Sequence, residues 1–452
     1  MNLEHPRRDD LALESLNGVE PFNGERLQTW RGDGGKEKPL KKAVIISAVR
    51  TPVGRYMGIL KDVPAYDLGA LVLNEAVKRA KLDPGQVEEV ILGQSYQSGE
   101  YVNIARMSLL KAGWPDSVPG ITLDRRCCTG LDVICFAAMK IESGHGEIVV
   151  AGGVESMSTA EFYVPGEIKW GIGGKKGMPR GHGDLSMWGI PFYDRIQRGR
   201  VMSQPEERYG ILPAMMSWAE TAAKEEGIQR EDCDRWALES HRKACAAIES
   251  GKFKHEIVPV PLGSSKEGEK FFDRDENPRA DTTLEQLAKL KPVLGGVCTA
   301  GNSSTENDGA AACVIVSEEM ARKLGAKPLA SLKAFAVVGA DPRRTYLTVP
   351  KAVEKAMEKS GLNLSQIDLI EIQEAFAAQV LADLKMMNLT EKDYSKINVN
   401  GSGISLGHPI ACTGTRVLVT LLHEMERRNN RYGLECICGG GGLGIAVIFE
   451  RS

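Results

Sequence analysis

Val90-Ile91-Leu92-Gly93-Gln94 reads as a buried strand, approached through a helical stretch that Ala76-Val77 opens and that passes Leu82 and Val87. The same order recurs far downstream. Ala352-Val353 opens a helical stretch that passes Leu362 and Ile367 and reaches Leu369-Ile370-Glu371-Ile372-Gln373. A second echo links Glu147-Ile148-Val149-Val150-Ala151-Gly152-Gly153 with Glu435-Cys436-Ile437-Cys438-Gly439-Gly440-Gly441. Short apolar runs between helical stretches predict an α/β fold with strands covered on both faces. Two related halves account for both echoes. Residues 159–294 break the pattern. Their first part is glycine-rich and irregular around Trp170, Gly171, Gly173 and Gly174, and loops of this length usually bind something or build an interface. Helical spacing returns over 214–250, and 296–323 resumes strand-and-helix character that completes the first half.

Composition excludes several classes of function. Lys and Arg number 57 against 60 Asp and Glu, a net charge of −3, so no basic excess points to nucleic acid. The longest apolar runs, 43–48, 148–151 and 445–449, fall far short of the ~20 residues of a membrane span, so no membrane partner is expected. Ten cysteines in 452 residues form neither a disulfide framework nor a metal-type pair: Cys127-Cys128 are adjacent and Cys436-Ile437-Cys438 is one residue short of CxxC. Reduced thiols in the cytoplasm are the expectation, with Cys135, Cys245 and Cys313 filling core. Residues 1–42 are polar and carry Glu4, Asp9, Asp10 and Glu14, unlike a secretory or transit segment, and read as a flexible or surface-draped extension.

Three stretches carry residues fit for chemistry. Asp124-Arg125-Arg126-Cys127-Cys128-Thr129-Gly130-Leu131 places cysteines where a helix begins, and a helix N-terminus with two arginines nearby favours thiolate. Cys128 is the rival nucleophile, and a buried cysteine beside a basic turn is the plainer alternative. Asn400-Gly401-Ser402-Gly403-Ile404-Ser405-Leu406-Gly407-His408-Pro409 sets one of only seven histidines in a glycine-rich turn. A structural histidine is the competing reading. Cys438-Gly439-Gly440-Gly441-Gly442-Leu443-Gly444 follows a strand-like run and exposes consecutive backbone N–H groups able to hold an oxyanion. No Lys-Ser/Thr follows, so this is not a phosphate-binding P-loop.

Taken together and in order, these stretches resemble the thiolase family. The likeness extends to Arg50-Thr51-Pro52-Val53-Gly54, Gly152-Gly153-Val154-Glu155-Ser156-Met157-Ser158, Gly301-Asn302-Ser303-Ser304 with Asn307-Asp308-Gly309-Ala310, and Glu374-Ala375-Phe376-Ala377. It implies a thiolase-like α/β fold: two duplicated halves stacked as α-β-α-β-α layers with an inserted loop domain. The implied division is a flexible extension (1–41), an N-terminal half (42–160 with 296–325), a loop domain for coenzyme A and oligomer contacts (161–295), and a C-terminal half (326–452). It implies an acyltransferase that cleaves or forms 3-ketoacyl-CoA, with acyl-CoA and coenzyme A as substrates, no permanently bound cofactor or metal, and a homodimer or homotetramer.

By the same resemblance Cys127 carries the acyl thioester and His408 takes its proton. Cys438 moves the α-proton of the second acyl-CoA, and the backbone N–H groups of Cys127 and Gly440 hold an oxyanion. Ser304 matches a coenzyme A contact, Arg279 a position near the nucleotide, and Met215 and Phe376 the acyl pocket. Lys175, Lys176 and Arg180 can attract phosphates, although a solvated basic loop explains them as well. Three departures stand out. Gln373 occupies the place where the family usually has an Asn that holds a catalytic water; Asp124 and Cys128-Thr129 alter the usual surroundings of the nucleophile; and Ala214 replaces the usual His before Met215. Decarboxylating condensing enzymes share the fold and an active cysteine but lack a second cysteine base, so Cys438 speaks against them. Gln373 motivates a third reading, a scaffold subunit without turnover.

Overall fold

The computed structural model describes residues 29–31, 37–166, 191–212, 214–265 and 268–451. The first compact unit spans Met1–Leu40, and its described part is an antiparallel pairing of Thr29–Arg31 with Glu37–Pro39. Residues 1–28 and 32–36 of the expected extension, and Lys175, Lys176 and Arg180, lie outside the described residues. The second unit, Lys41–Ser452, holds everything discussed below.

The first half runs β1 (Ala43–Arg50), α1 (Ala65–Arg79), β2 (Glu89–Gly93), α2 (Ile104–Lys111), β3 (Gly120–Leu123), α3 (Thr129–Glu142) and β4 (Ile148–Ser156). The inserted stretch carries α4 (Ser217–Glu226) and α5 (Arg230–Glu249) before β5 (Asn307–Ser317) returns to the first sheet between β1 and β4. The second half runs β6 (Ala330–Gly339), α6 (Thr348–Ser360), β7 (Leu369–Ile372), α7 (Ala377–Met386), α8 (Thr413–Arg428), β8 (Tyr432–Gly439) and β9 (Leu443–Glu450). The strand order is β7-β8-β9-β6-β1-β5-β4-β2-β3, and the halves join through only two residue pairs, Ala330–Ile45 and Ser331–Val44.

Period-two alternation explains the layers. On the first sheet Val44, Val90, Leu92, Val150, Ala312 and Val314 pack against α1 and α2, whereas Ala43, Ile45, Ile91, Val149, Cys313 and Ile315 face the middle. On the second sheet Ile437, Ile445, Val447 and Phe449 face that same middle, which α3 and α8 fill, while Ile370, Ile372, Cys436 and Ile448 face α4 to α7. Helix, sheet, helix, sheet, helix is the resulting stack.

The duplication is closer than the sequence echoes suggested. Each half carries a short capped turn before its second strand, Asp83 with Gln86 and Asn363 with Gln366. The parallel ladders then pair Glu89 with Val149 in one half and Leu369 with Gly433 in the other. These registers put Gly93, not Gln94, at the place of Gln373, and shift the second echo as well. They also show Ala76-Val77 near the end of α1 and Ala352-Val353 inside α6, so neither pair opens its helix.

Helices α3 and α8 cross at Gly130 and Gly414. A Cβ on Gly414 would lie 2.2 Å from Leu131 N, and one on Gly130 would lie 2.8 Å from Thr415 N. Only glycine permits that approach, and Cys-Thr-Gly stands at both places, 128–130 and 412–414. Arg50, at the end of β1, ties the inserted stretch to this frame. It is fully buried, donates through Nε to Glu256 at 2.7 Å, and grips Asp275 with both Nη atoms at 2.7 and 2.9 Å.

Candidate active site

Cys127 sits where β3 gives way to α3. Asp124 Oδ1 accepts the Arg126 N–H at 2.9 Å, Thr129 Oγ1 accepts that of Arg125 at 2.6 Å, and Arg126 takes a left-handed backbone (φ +53°). This sharp corner turns Cys127 into a cleft. The two arginines act differently. Arg125 is paired with Asp132 at 2.5 Å, while Arg126 lines the cleft. The expected easy thiolate is not the resting state. Burial pushes the Cys127 thiol up to about 11, and the Gly440 N–H and the Arg126 charge offset only part of that. Such a thiol needs a base.

His408 stands within reach of it, its Nε2 3.1 Å from Cys127 Sγ. Its other ring nitrogen, Nδ1, lies 2.7 Å from Thr413 Oγ1, and that hydroxyl donates to Pro409 O at 3.0 Å. A hydroxyl whose proton is already given to a carbonyl can only accept from Nδ1–H, which leaves Nε2 bare toward the thiol. Burial, with Arg416 and Arg200 adding to it, pushes His408 down to about 3, so the ring is neutral and able to receive a proton. Asn307 from β5 fixes the backbone, its Oδ1 accepting the His408 N–H at 2.8 Å. The preceding Gly407 has φ +96°, and a Cβ there would strike Asn307 at 2.6 Å.

Cys438, at the end of β8, lines the same cleft, buried, its thiol pushed well above the ordinary range first by burial and then by Asp383. Gly440 lines the cleft beside it and aims its N–H at the Cys127 sulfur. Ser304, Met215 and Phe376 also line it, as does Ala214. Two expected residues do not. Arg279 is exposed and away from the cleft, its N–H donating to His241 Nδ1 at 3.3 Å. Gln373 is buried behind Gly403, and neither end of its amide has a protein partner.

Residues outside the expectations complete the site. Tyr96, Met157, Arg200, Trp218 and Ile410 line the cleft, and Trp218 meets Phe376 edge to face at 5.2 Å. Tyr96 and Phe376 occupy equivalent positions in the two halves by ladder register. Glu155 of β4 accepts three backbone N–H groups, from Ser95 and Tyr96 at 3.1 Å and from Ala411 at 2.9 Å, holding the loop that bears His408. Burial nevertheless pushes its carboxyl up to about 7. Glu374 accepts from Trp236 Nε1, Ser240 Oγ, Asn398 Nδ2 and the Ile404 N–H, tying the inserted helix α5 to the glycine turn. Glu155, Asn307 and Glu374 all lie within recognisable motifs, but their partners are far away in sequence. Among the described residues no cluster suited to a metal ion is present.

Two sulfurs and a neutral imidazole around one cleft, on a duplicated five-layer fold, define an acyl-transferring enzyme working through a thioester. Residues 43–319 match the thiolase N-terminal domain and residues 326–451 the thiolase C-terminal domain. The chain is 42% identical to an acetyl-CoA acetyltransferase of Pseudomonas aeruginosa and 43% to one of Escherichia coli, in each case over 91% of this chain and 100% of the relative. A beta-ketoadipyl-CoA thiolase of Escherichia coli is 41% identical over the same shares. Among solved structures, the Bacillus anthracis acetyl-CoA acetyltransferase superposes with a TM-score of 0.82 at 41% identity, covering 91% of this chain and 99% of that one. Human mitochondrial 3-ketoacyl-CoA thiolase follows at 0.81 and 35%, with the same coverage. The chain belongs to the thiolase family, and its activity is coenzyme A–dependent acyl transfer by the thiolase reaction.

Proposed function

We propose that Cys127, His408 and Cys438 carry this reaction, cleaving or forming 3-ketoacyl-CoA by a ping-pong route. In the cleavage direction the Cys127 thiol gives its proton to His408 Nε2, and the sulfur attacks the 3-keto carbon. The C2–C3 bond breaks, its electron pair passes to the acetyl-CoA enolate, and the Cys438 thiol protonates that carbon. The thiol of coenzyme A then gives its proton to the Cys438 thiolate and displaces the acyl group, and the departing Cys127 sulfur takes back the proton held on His408. The 3.1 Å approach of His408 Nε2 to Cys127 Sγ carries the proposal, because a thiol held near 11 is inert without a base. Gly440 and the Cys127 N–H serve the oxyanion, Ser304 the coenzyme A arm, and Met215 and Phe376 the acyl group. Gln373, with both amide ends free, positions a water in place of the family's Asn.

Other features support the remaining elements of this reading. The free edge of β3 shows Ile121, flanked by exposed Met107, Leu110, Phe136 and Met139, an apolar face suited to a homodimer or homotetramer. Ten free cysteines fit a cytoplasmic setting. No described helix is long and apolar enough to cross a membrane. The placement of β5 in the first sheet and of α4 and α5 against the second half fits a loop domain over 161–295, flanked by halves at 42–160 with 296–325 and at 326–452. Thiolysis of acetoacetyl-CoA, followed by loss of its magnesium-enolate absorbance, together with transfer of labelled acetyl to Cys127, tests the reading. Absence of both turnover and acetyl uptake would overturn it.

A further inference from the structure

The cations around the cleft are not equivalent. Arg125 is neutralised by Asp132, Arg195 faces Glu161 at 3.6 Å, and Arg200 is paired with Glu306 at 2.6 Å. Arg126 lines the cleft yet has no carboxylate within ion-pairing distance among the described residues. Its side chain makes one long contact, Nη2 donating to Gly199 O at 3.3 Å. A Cβ at Gly199 would crowd Tyr96 at 3.1 Å and touch Arg126 Nη1 at an ordinary 3.5 Å, so the guanidinium lies against this bare backbone. The residue also holds a left-handed backbone, which an arginine adopts only when its surroundings enforce it.

An unpaired guanidinium on the wall of a cleft whose apolar lining is Met157, Met215, Trp218, Phe376 and Ile410 works against an alkyl chain, which offers it nothing in exchange for lost water. It suits an anion, which its planar fork binds in bidentate fashion. The place on the chain decides which anion. Consecutive Cα atoms are about 3.8 Å apart, so Arg126 adjoins the residue whose sulfur holds the acyl group. The two amide-linked segments of the pantetheine arm keep the phosphates of coenzyme A far from that sulfur.

We propose that Arg126 binds a carboxylate at the far end of the acyl chain, so that this chain's preferred substrates are short 3-ketoacyl-CoA thioesters of dicarboxylic acids. The assignment rests on the acyl-enzyme reading above. Thiolysis of such a substrate leaves the carboxylate-bearing fragment on Cys127 and releases acetyl-CoA, so the ion pair with Arg126 persists through both half-reactions.

The test compares two six-carbon 3-ketoacyl-CoA substrates, one ending in a carboxylate and one in a methyl group, with the wild-type protein and with Arg126→Gln and Arg126→Lys. The wild type favours the carboxylate in kcat/KM. Arg126→Gln lowers the ratio of the two values by roughly tenfold or more, and Arg126→Lys restores part of it. A wild type that cleaves both substrates without preferring the carboxylate overturns this assignment while leaving the proposed reaction standing. So does an Arg126→Gln protein in which both values fall by the same factor, the sign of a role in the nucleophile's environment alone. A wild type inert toward both substrates overturns the proposed reaction itself.

Discussion

The two halves share a topology but not a task. In the first half the chain passes from β3 to α3 through a tight corner, and that corner holds Cys127. The counterpart of β3 in the second half has shrunk to a single parallel bridge, Ile370–Ile397, and the chain from there to α8 is longer. It takes in the Gly403–Leu406 turn and then His408. The Cys-Thr-Gly at each helix start places Ala411 where the first half has Cys127. At the ends of the strands beside the helices, Cys438 stands where the first half has Val154, by ladder register. A duplicated frame thus brings two equivalent corners together at Gly130 and Gly414, and divergence leaves Cys127 at the first, His408 before the second and Cys438 at the strand end beside it. Symmetry supplies the meeting place and asymmetry the chemistry.

The sharpest way to break that division is at the sulfur. Replacing Cys127 with Ala should lower thiolysis by more than about a thousandfold, as loss of a nucleophile does elsewhere, and should abolish its labelling by iodoacetamide. Cys128→Ala should keep both, because Cys128 is fully buried and its sulfur lies 3.5 Å from Ile437 O. The reverse pattern, read by mass spectrometry of the alkylated peptide, would move the nucleophile by one residue.

The crossing itself is the next target. A methyl group on Gly414 meets backbone rather than a movable side chain, so Gly414→Ala should cost about 1–3 kcal/mol or more through overpacking. Gly144→Ala, where nothing lies within 4 Å, carries the positive-φ strain of its own site (φ +77°), which Gly414 lacks, but not the collision. Urea midpoints with matched slopes give the comparison, and an unshifted midpoint for Gly414→Ala would mean the helices can slide apart at little cost.

Glu155 joins the halves through hydrogen bonds alone. Glu155→Gln keeps the shape but turns an amide N–H₂ toward one of three backbone donors. The loop from Pro409 to Cys412 should loosen, lowering kcat by about tenfold while KM changes little. An equal loss through KM would place the effect on substrate binding instead. The resting site has its own signature in alkylation. Because the Cys127 thiol is raised to about 11, a larger fraction ionises with every step up in pH through 9, and the iodoacetamide rate should still be climbing there, where an ordinary cysteine near 8.5 levels off. A plateau below pH 8 would mean that Cys127 and His408 rest as an ion pair.

Much of this was legible in the residues. The strand pairs 90–94 and 369–373 announced two α/β halves, and the motif order brought Cys127, His408 and Cys438 together by resemblance. What escaped depends on contacts across the chain. The thiol's upward shift comes from burial, which a helix N-terminus and two neighbouring arginines do not reveal, and one of those arginines is consumed by Asp132. The register error arose because Gln94 and Gln373 look alike, whereas the capped turns at Asp83 and Asn363 fix the alignment one residue away. The repeated Cys-Thr-Gly was visible in the sequence and would have given the helix crossing directly. Arg279, matched to a position near the nucleotide, is exposed and does not line the cleft, so the acyl site itself says nothing for or against it.

Gln373 offers the smallest effect and the finest reading of the second half. It directly follows β7, at the place held by Gly93 in the first half, where no side chain exists at all. Its amide has unpaired atoms at both ends although it is 1% exposed, and buried amides are rarely left so. An Asn there is one methylene shorter and would draw the amide back from Gly403, whose Cβ position lies only 2.4 Å from Gln373 Nε2. The hydrogen-bonding groups survive the change, so the water proposed for this amide would be relocated rather than lost. Gln373→Asn should therefore preserve or raise kcat with short 3-ketoacyl-CoA substrates, within about a factor of three. A variant that folds with an unchanged urea midpoint yet shows no turnover would assign Gln373 an essential contact that the shorter amide cannot reach.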